Sequence, residues 1–512
     1  MGSSRPRSPA GAEIAPPKAH EHDTTTTHTS ETGARVPLIA RATVWMSVAV
    51  LCTACVAGAA RAVDPPPMPG TYSQIVASDA AIPDERDWYS RFGSTELDGL
   101  LDSAPAGNFD LAAAAARVRQ AAARARGVRA ALLPQVDATG SAAHFTGRSG
   151  STSASETDWS ALLSASYELD FWGKNQASFQ AATAAASASI ADRETVMLTT
   201  RAGLAAGYFT VLSLRERQSI AQLDLDTARE VLKVIEARHA AGFASNADLA
   251  SQRAVVATAE VVIPDLQGQQ EAALAALAVL AGRDPEGFSV QATGLAGLTE
   301  PTLDAGLPSE LLHRRPDILA AEATLQAANA DLAAARAALF PTIALTASGG
   351  VQSPAVQAAV TTLAGTGPTL VVGASVLQAV FDGGRRRALR EETAARAEEM
   401  LARYRGAIRN GLVDVETSLA TRRSLEAQRA ARAEVLAQSQ LAFDAARARY
   451  TAGSGDYLTL LGAQRTLHAA HDADAQYRLA RLQALISLTK ALGGGWQAPT
   501  PTPAGATNKD RK

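Results

Sequence analysis

Two stretches of strict alternation interrupt a chain whose apolar positions otherwise recur at helical spacing. In ALLSASYELDF (161–171), Leu163, Ala165, Tyr167, Leu169 and Phe171 alternate with Ser164, Ser166, Glu168 and Asp170. This is the period of a strand with one apolar and one polar face. The preceding PQVDATGSAAHF alternates more weakly, with Asp137, Thr139 and Ser141 on one face. A polar turn, GRSGSTSASET, separates the two, so residues 134–171 are predicted to form a β-hairpin. The pattern returns at 341–381, where LFPTIALTASGG and PTLVVGASVLQAVF supply a third and a fourth strand.

The helical stretches are arranged around these hairpins in the same way each time. A helix over about 95–132 stops before Pro134, and a second over 309–340 stops before Pro341. After each hairpin the helical spacing runs unbroken by proline from Lys174 to about Ala241, and again from Arg385 to Tyr450. At 1.5 Å per residue each is on the order of 100 Å long. Each then meets one repeated element, ARHAAGFASNADLASQR at 237–253 and ARYTAGSGDYLTLLGAQR at 448–465, and a return helix follows. Pro264 in the first return helix predicts a kink or a junction of two helices there. The chain thus divides into two repeats, 95–286 with a tip near 242 and 309–496 with a tip near 453, joined by an irregular link, 287–308. A linker at 63–94 precedes them and a polar tail at 497–512 follows, the latter predicted to be disordered.

Composition narrows the class. Hydrophobic residues are 47% of the 512-residue chain but aromatics only 5%, which suits long alanine-rich helices in close contact. The net charge is −3, so no excess of positive charge points to nucleic acid. Residues 1–62 read as a disordered start followed by a secretory signal, VWMSVAVLCTACVAGAA, preceded by Arg35 and Arg41. The two cysteines, Cys52 and Cys55, lie inside it, which argues against a redox pair. Two cleavage outcomes stay open: after Ala62, at an A-x-A site, or before Cys55, which would then carry a lipid. Beyond the signal no run of 18 apolar residues occurs, so no transmembrane helix is predicted. An exported chain with amphipathic strands instead suggests an outer-membrane barrel. Four strands cannot close one, so several copies must contribute.

The chain resembles the TolC-type outer-membrane factors, in particular the lipoprotein branch that serves resistance-nodulation-division efflux pumps. The likeness is carried by WYSRF (88–92), NFDLAAAAARVRQA (108–121), YELDFWGKN (167–175), HRRPD (313–317), FDGGRRR (381–387), YTAGSGDYLTLLGAQRTL (450–467) and ALGGGW (491–496). It implies a mainly α fold with a β-barrel part: a homotrimer whose four strands per chain form one barrel in the outer membrane. A long periplasmic helical barrel continues it, with a small mixed equatorial domain. The implied function is a passive exit duct for drugs or other small toxic compounds. Its partners would be a periplasmic adaptor, an inner-membrane transporter and outer-membrane lipid, with no cofactor and no enzymatic chemistry. A type I protein-secretion duct is the alternative within this fold, and a periplasmic coiled-coil scaffold without a pore is the alternative outside it.

On this resemblance the two repeated elements are the periplasmic tips. Arg238, Gly242, Arg449 and Gly453 are the expected adaptor contacts, the glycines also being turn residues in their own right. In similar channels a network holds the second tip shut, with an aromatic at Tyr450, an arginine at Arg465 and a carboxylate at the position of Gly462. The glycine is a departure, which leaves Asp456 and Asp248 as the acidic gate candidates. Asp456 is equally readable as a helix N-cap. His468 and His471 share a helical face but lack a third ligand nearby in sequence, so no metal site is expected. Arg385, Arg386 and Arg387 read as a solvated face or a contact with lipid headgroups, and HRRPD as a folding element.

Overall fold

The computed structural model describes Pro69, Tyr72 and residues 85–149, 152–301, 308–352 and 369–494, all within the compact unit Ala60–Lys512. The signal segment with Cys52, Cys55 and Ala62, and the tail after 494, lie outside the described residues. The helices are α1 (Glu85–Ser90), α2 (Thr95–Gly107), α3 (Phe109–Arg129), α4 (Lys174–Ala240), α5 (Asn246–Leu280), α6 (Leu311–Arg314), α7 (Pro316–Ala337), α8 (Arg385–Thr451) and α9 (Tyr457–Ala491). The strands are β1 (Gln135–Ser149), β2 (Thr152–Leu169), β3 (Thr342–Gln352) and β4 (Thr369–Leu377), forming one antiparallel sheet in sequence order.

The two long helices, α4 and α8, each have 67 residues. A helix of that length can bury a face only along its axis, here against several shorter neighbours. Helix α4 packs on α7, α5, α3 and α9, and α8 packs on α9 and α7. The largest core lies where α1, α2 and α7 pack onto the upper halves of these helices. There Trp88 meets Phe92 edge-on at 4.9 Å, and Phe92 meets Phe209 at 5.0 Å. Smaller apolar clusters continue toward the tips around Leu225 and Ile235.

Four expectations need correction. The helix predicted over 95–132 is two helices, because Asn108 turns the chain. Its side-chain oxygen accepts from Asp110 N at 2.9 Å and Leu111 N at 3.1 Å, starting α3 anew. The helix predicted over 309–340 also breaks, at Arg315, whose extended φ −94°, ψ 113° is what a following proline enforces. No junction occurs at Pro264. Helix α5 runs through it, with the proline exposed and Leu266 buried on the opposite side. The fourth strand is also shorter than expected, since its pairing ends at Leu377 opposite Thr342 and β3 offers no partner beyond that residue.

The two breaks share one task. Asn108 Nδ2 donates to the carbonyl of Leu280 at 3.1 Å, and Arg315 Nη1 donates to that of Ala491 at 2.9 Å. Each covers a free carbonyl in the last turn of a return helix, and the two carbonyls are 211 positions apart. Beside each bond the backbones touch. A methyl group on Gly282 would come within 2.3 Å of the Gly107 carbonyl carbon, and one on Gly493 within 2.2 Å of the Arg314 oxygen. Both glycines also have positive φ, 70° and 89°. Arg315, only 8% exposed, adds ion pairs to Asp317 at 2.7 Å and Asp414 at 2.9 Å, so HRRPD ties α6, α7, α8 and α9 together. Gly493→Ala is expected to lower stability by about 3 kcal/mol or more through overpacking and backbone strain. Thermal melting of the detergent-solubilised protein checks this; a melting temperature equal to wild type would refute the close contact.

Candidate functional site

The sheet has two chemically distinct faces, and the register defines them. One face carries the rows Ala138–Leu163–Gly349–Leu370, Val136–Ala165–Ala347–Val372 and Tyr167–Leu345–Ala374. The other carries Asp137–Ser164–Ser348, Gln135–Ser166–Thr346 and Ser141–Ser160–Gln352, with Val371 and Gly373 of β4 closing the first two rows. The large side chains of the first face are uncovered, with Leu163 57%, Leu370 76% and Val372 74% exposed. An apolar face open on this scale fits hydrocarbon, and the polar face fits a water-filled interior. Among the described residues β1 and β4 each leave one edge unpaired.

Below the sheet each strand-to-helix corner is a built turn. Asp170 accepts from Asn175 N at 3.0 Å and Gln176 N at 2.7 Å, and Asp382 accepts from Gly384 N at 3.0 Å and Arg386 N at 3.1 Å. Each aspartate thereby satisfies the first amides of a 67-residue helix. Gly173 and Gly384 occupy the N-cap positions with φ 73° and 87°. Trp172 stacks on Phe340 at 4.7 Å and donates to Pro341 O at 2.7 Å, which joins the two hairpins at their base. Arg386 is committed to Asp382 and the Ala338 carbonyl, while Arg385 and Arg387 are exposed.

At the far ends, Gly242 and Gly453 both have φ 80°, and both tips close alike. Phe243 N bonds to Arg238 O at 2.8 Å, and Ser454 N to Arg449 O at 3.0 Å. This is the six-to-one bond of a helix that ends on a left-handed glycine. The acidic gate candidates are engaged in starting the return helices. Ser245 and Asp248 form a reciprocal capping box at the head of α5. Asp456 accepts from Thr459 N at 2.8 Å and from Thr459 Oγ1 at 2.7 Å at the head of α9. These bonds to Thr459 hold its carboxyl below the usual carboxylate range.

The structure brings Arg238 and Tyr450 together, which spacing alone could not indicate. The guanidinium lies over the Tyr450 ring at 4.5 Å and donates to the Tyr450 carbonyl, linking the first hairpin to the second. Tyr450 is 4% exposed, and burial raises its phenol above the ordinary value. Tyr457, its ring 6.3 Å away, is pushed up to about 12, again chiefly by burial. Arg449 and Arg465 are exposed, and neither makes an ion pair among the described residues. A side chain at Gly462 would meet open space, so no steric demand put glycine there. His468 and His471 both approach Asp224 of α4, at 3.6 Å and 3.2 Å, across a cleft of about 610 Å³ between α4, α5 and α9. Among the described residues no trio of histidine, cysteine or carboxylate side chains is arranged to hold a metal.

Two tests follow from this geometry. Leu163→Arg is expected to cost about 2–4 kcal/mol in a bilayer and to reduce folded barrel sharply, whereas Ser164→Arg on the polar face is tolerated. Heat-modifiable gel mobility of outer-membrane fractions reads both. At the tip, Asp456 helps α9 more when ionised, because its folded carboxyl titrates below its unfolded value. That extra contribution is complete above about pH 4, the unfolded value, and is lost as pH falls through the folded one. Asp456→Asn keeps the cap and Asp456→Ala removes it. Hydrogen exchange at Leu458–Leu460 at neutral pH is expected to be near wild type in the first and faster in the second.

Known proteins share this fold. The model of the outer membrane efflux protein family matches residues 100–283 and 307–494. The pyoverdine export outer membrane protein OpmQ of Pseudomonas aeruginosa is 45% identical over 439 residues, 84% of this chain and 92% of its own. OpmQ of Pseudomonas putida is 39% identical, with 85% and 93% covered. Among solved structures, the open state of the MtrE outer membrane channel of Neisseria gonorrhoeae superposes with a TM-score of 0.76 at 30% identity, over 85% of this chain and 97% of that one. The chain belongs to the outer membrane efflux protein family, and it is the outer-membrane channel component of an efflux pump that reaches into the periplasm.

Proposed function

We propose that this member of the outer membrane efflux protein family works as a homotrimer, that a periplasmic adaptor couples it to an inner-membrane resistance-nodulation-division transporter, and that its cargo is a secreted metal chelator of the pyoverdine type. The observation that carries the assembly is the open four-stranded sheet with one apolar face. Hydrocarbon leaves unpaired edge amides and carbonyls without partners, so β1 of one copy must pair with β4 of the next. Three copies of four strands give twelve, an even antiparallel barrel closed by cyclic symmetry. The two long helices and two return helices of each copy continue below it as the periplasmic conduit, with outer-membrane lipid against the apolar strand face.

The tips are the open end of this conduit. Arg449 and the glycine turns at 242 and 453 are presented for the adaptor, whereas Arg238 is half-buried against Tyr450 and acts mainly between hairpins. A lipid on Cys55 would anchor the chain start to the same membrane. The cargo proposal rests on identity to the two pyoverdine export proteins along almost their full length. The duct performs no chemistry on its cargo.

In a deletion strain of the native host, the chelator is expected to accumulate in the periplasm and to fall in the supernatant, with recovery on complementation. Ordinary secretion combined with raised drug susceptibility would replace the chelator by drugs as cargo. Loss of a secreted protein alone would favour the type I duct.

A further inference from the structure

Between the sheet and mid-height the helices of one copy form an open row, in which α3 packs on α4, α4 on α7 and α7 on α8. Its free edges are the outer sides of α3 and α8, as β1 and β4 are the free edges of the sheet. The two repeats correspond along this row. Lys174 opens α4 where Arg385 opens α8, and Asn108 precedes α3 where Arg315 precedes α7. Helices α4 and α7 therefore have a neighbour on both sides, and their counterparts α8 and α3 each lack one.

A position that is buried in the inner helix and open in its outer counterpart marks what the missing neighbour would cover. On α4, Ala181 and Ala191 are buried, whereas their counterparts on α8, Glu392 and Ala402, are exposed. On α7, Pro316 and Ala320 are buried, whereas their counterparts on α3, Phe109 and Ala113, are exposed, Phe109 by 89%. The charges bared on the two edges are complementary. Glu392 on α8 and Arg124 and Arg126 on α3 are exposed, and none makes an ion pair among the described residues.

The inner seam between α4 and α7 also supplies a register. Trp172 stacks on Phe340 at its upper end, and Pro316 shares a cleft of about 340 Å³ with Thr195 and Leu198 at its lower end. Carried over to the outer helices, the lower contact sets Phe109 against Gly406. A Cβ on Gly406 would meet nothing within 4 Å, so nothing within the chain accounts for a glycine there. Such a residue weakens the interior of a helix, and a ring seated on it from outside supplies the reason for it. Antiparallel helices share one rise per residue. Glu392, fourteen residues nearer the sheet than Gly406, then comes level with Ala123, beside Arg124 and Arg126. In the same register Ala402 comes level with Ala113.

We propose that α8 of one copy lies antiparallel on α3 of the next, with Phe109 seated over Gly406 and Glu392 paired to Arg124 and Arg126 across the joint. This rests on the proposed homotrimer and adds the groups by which one copy recognises the next. The joint between copies repeats the seam within a copy, with an ion pair where the inner seam has alanine.

Cys52 and Cys55 are the only cysteines of the chain, so a pair introduced elsewhere is read cleanly. The full-length protein carrying Ala113→Cys with Ala402→Cys, oxidised in detergent, is expected to give covalent dimers and trimers on non-reducing gels. Either single variant is expected to give none. The charge pair is tested by Glu392→Arg, which is expected to shorten the lifetime of the trimer on native gels about tenfold through like-charge repulsion. Adding Arg124→Glu and Arg126→Glu to it is expected to restore the wild-type lifetime. An intact trimer without cross-linked species, or with them already in a single variant, overturns the joint alone. A Glu392→Arg trimer as long-lived as wild type, or no recovery on charge exchange, overturns the ion pair. A wild-type protein that is not a trimer overturns the homotrimer reading and the joint with it.

Discussion

A β-sheet with a hydrocarbon-facing side cannot leave its outer strands unpaired, and this requirement organises the protein. Within one copy the sheet stops at four strands, with the backbones of β1 and β4 open on their outer sides. In water such edges could be hydrated; in a bilayer they cannot, so the fold is complete only when other copies close the ring. The helices inherit that geometry. Each strand-to-helix corner is fixed by an aspartate on the first helical amides, Asp170 or Asp382, so the circle of strands dictates where the long helices begin. Those helices then have no compact core to fold onto, and stability has to be distributed along their length.

That distribution explains the two belts of specific contact. At mid-height the backbones of Gly282 and Gly493 press against the breaks at Gly107 and Arg314, and Asn108 or Arg315 covers the last carbonyls of the return helices. One copy uses a neutral amide and the other a guanidinium with two aspartates, yet both satisfy the same orphan acceptor. The conserved geometry is the bond, while the residue that makes it is free to differ between repeats. The second belt lies at the tips, where Arg238, Tyr450, Gln252, Tyr457 and Gln464 join hairpin to hairpin.

What the sequence disclosed, and what it hid, divides along a physical line. Strand alternation, the lengths of α4 and α8 and the tip glycines were legible, because each is a local property of consecutive residues. The ends of those two helices fell within a residue or two of their expected places, since Gly173, Gly242, Gly384 and Gly453 mark them. The break at Arg315 was announced by Pro316 but obscured by the helical spacing on both sides. Asn108 was harder, because nothing in NFDL distinguishes a mid-helix asparagine from one that starts a helix. The junction at Pro264 does not form because a lost backbone bond on an exposed face is outweighed by packing on the other. Cross-hairpin pairs such as Arg238–Tyr450 and Asp224–His471 join residues over 200 positions apart, and no local pattern encodes them.

The two repeats are most instructive where they differ. At corresponding tip positions the first copy has His239 and the capping box of Ser245 and Asp248, and the second has Tyr450 and the single cap of Asp456. Both acids accept from backbone amides at helix starts, Asp248 from Ser245 N and Asp456 from Thr459 N. Closure at the level of Gly462 then cannot rest on opposed charges, because the position has no side chain. Between the hairpins lie an aromatic ring under a guanidinium, an aliphatic seam, a buried amide network and ion pairs, Arg447–Glu230 and Arg217–Asp472 both at 2.6 Å. The first three are short-ranged and weakly screened, whereas the exposed Arg447–Glu230 pair responds to salt, over about 10 Å at 0.1 M ionic strength.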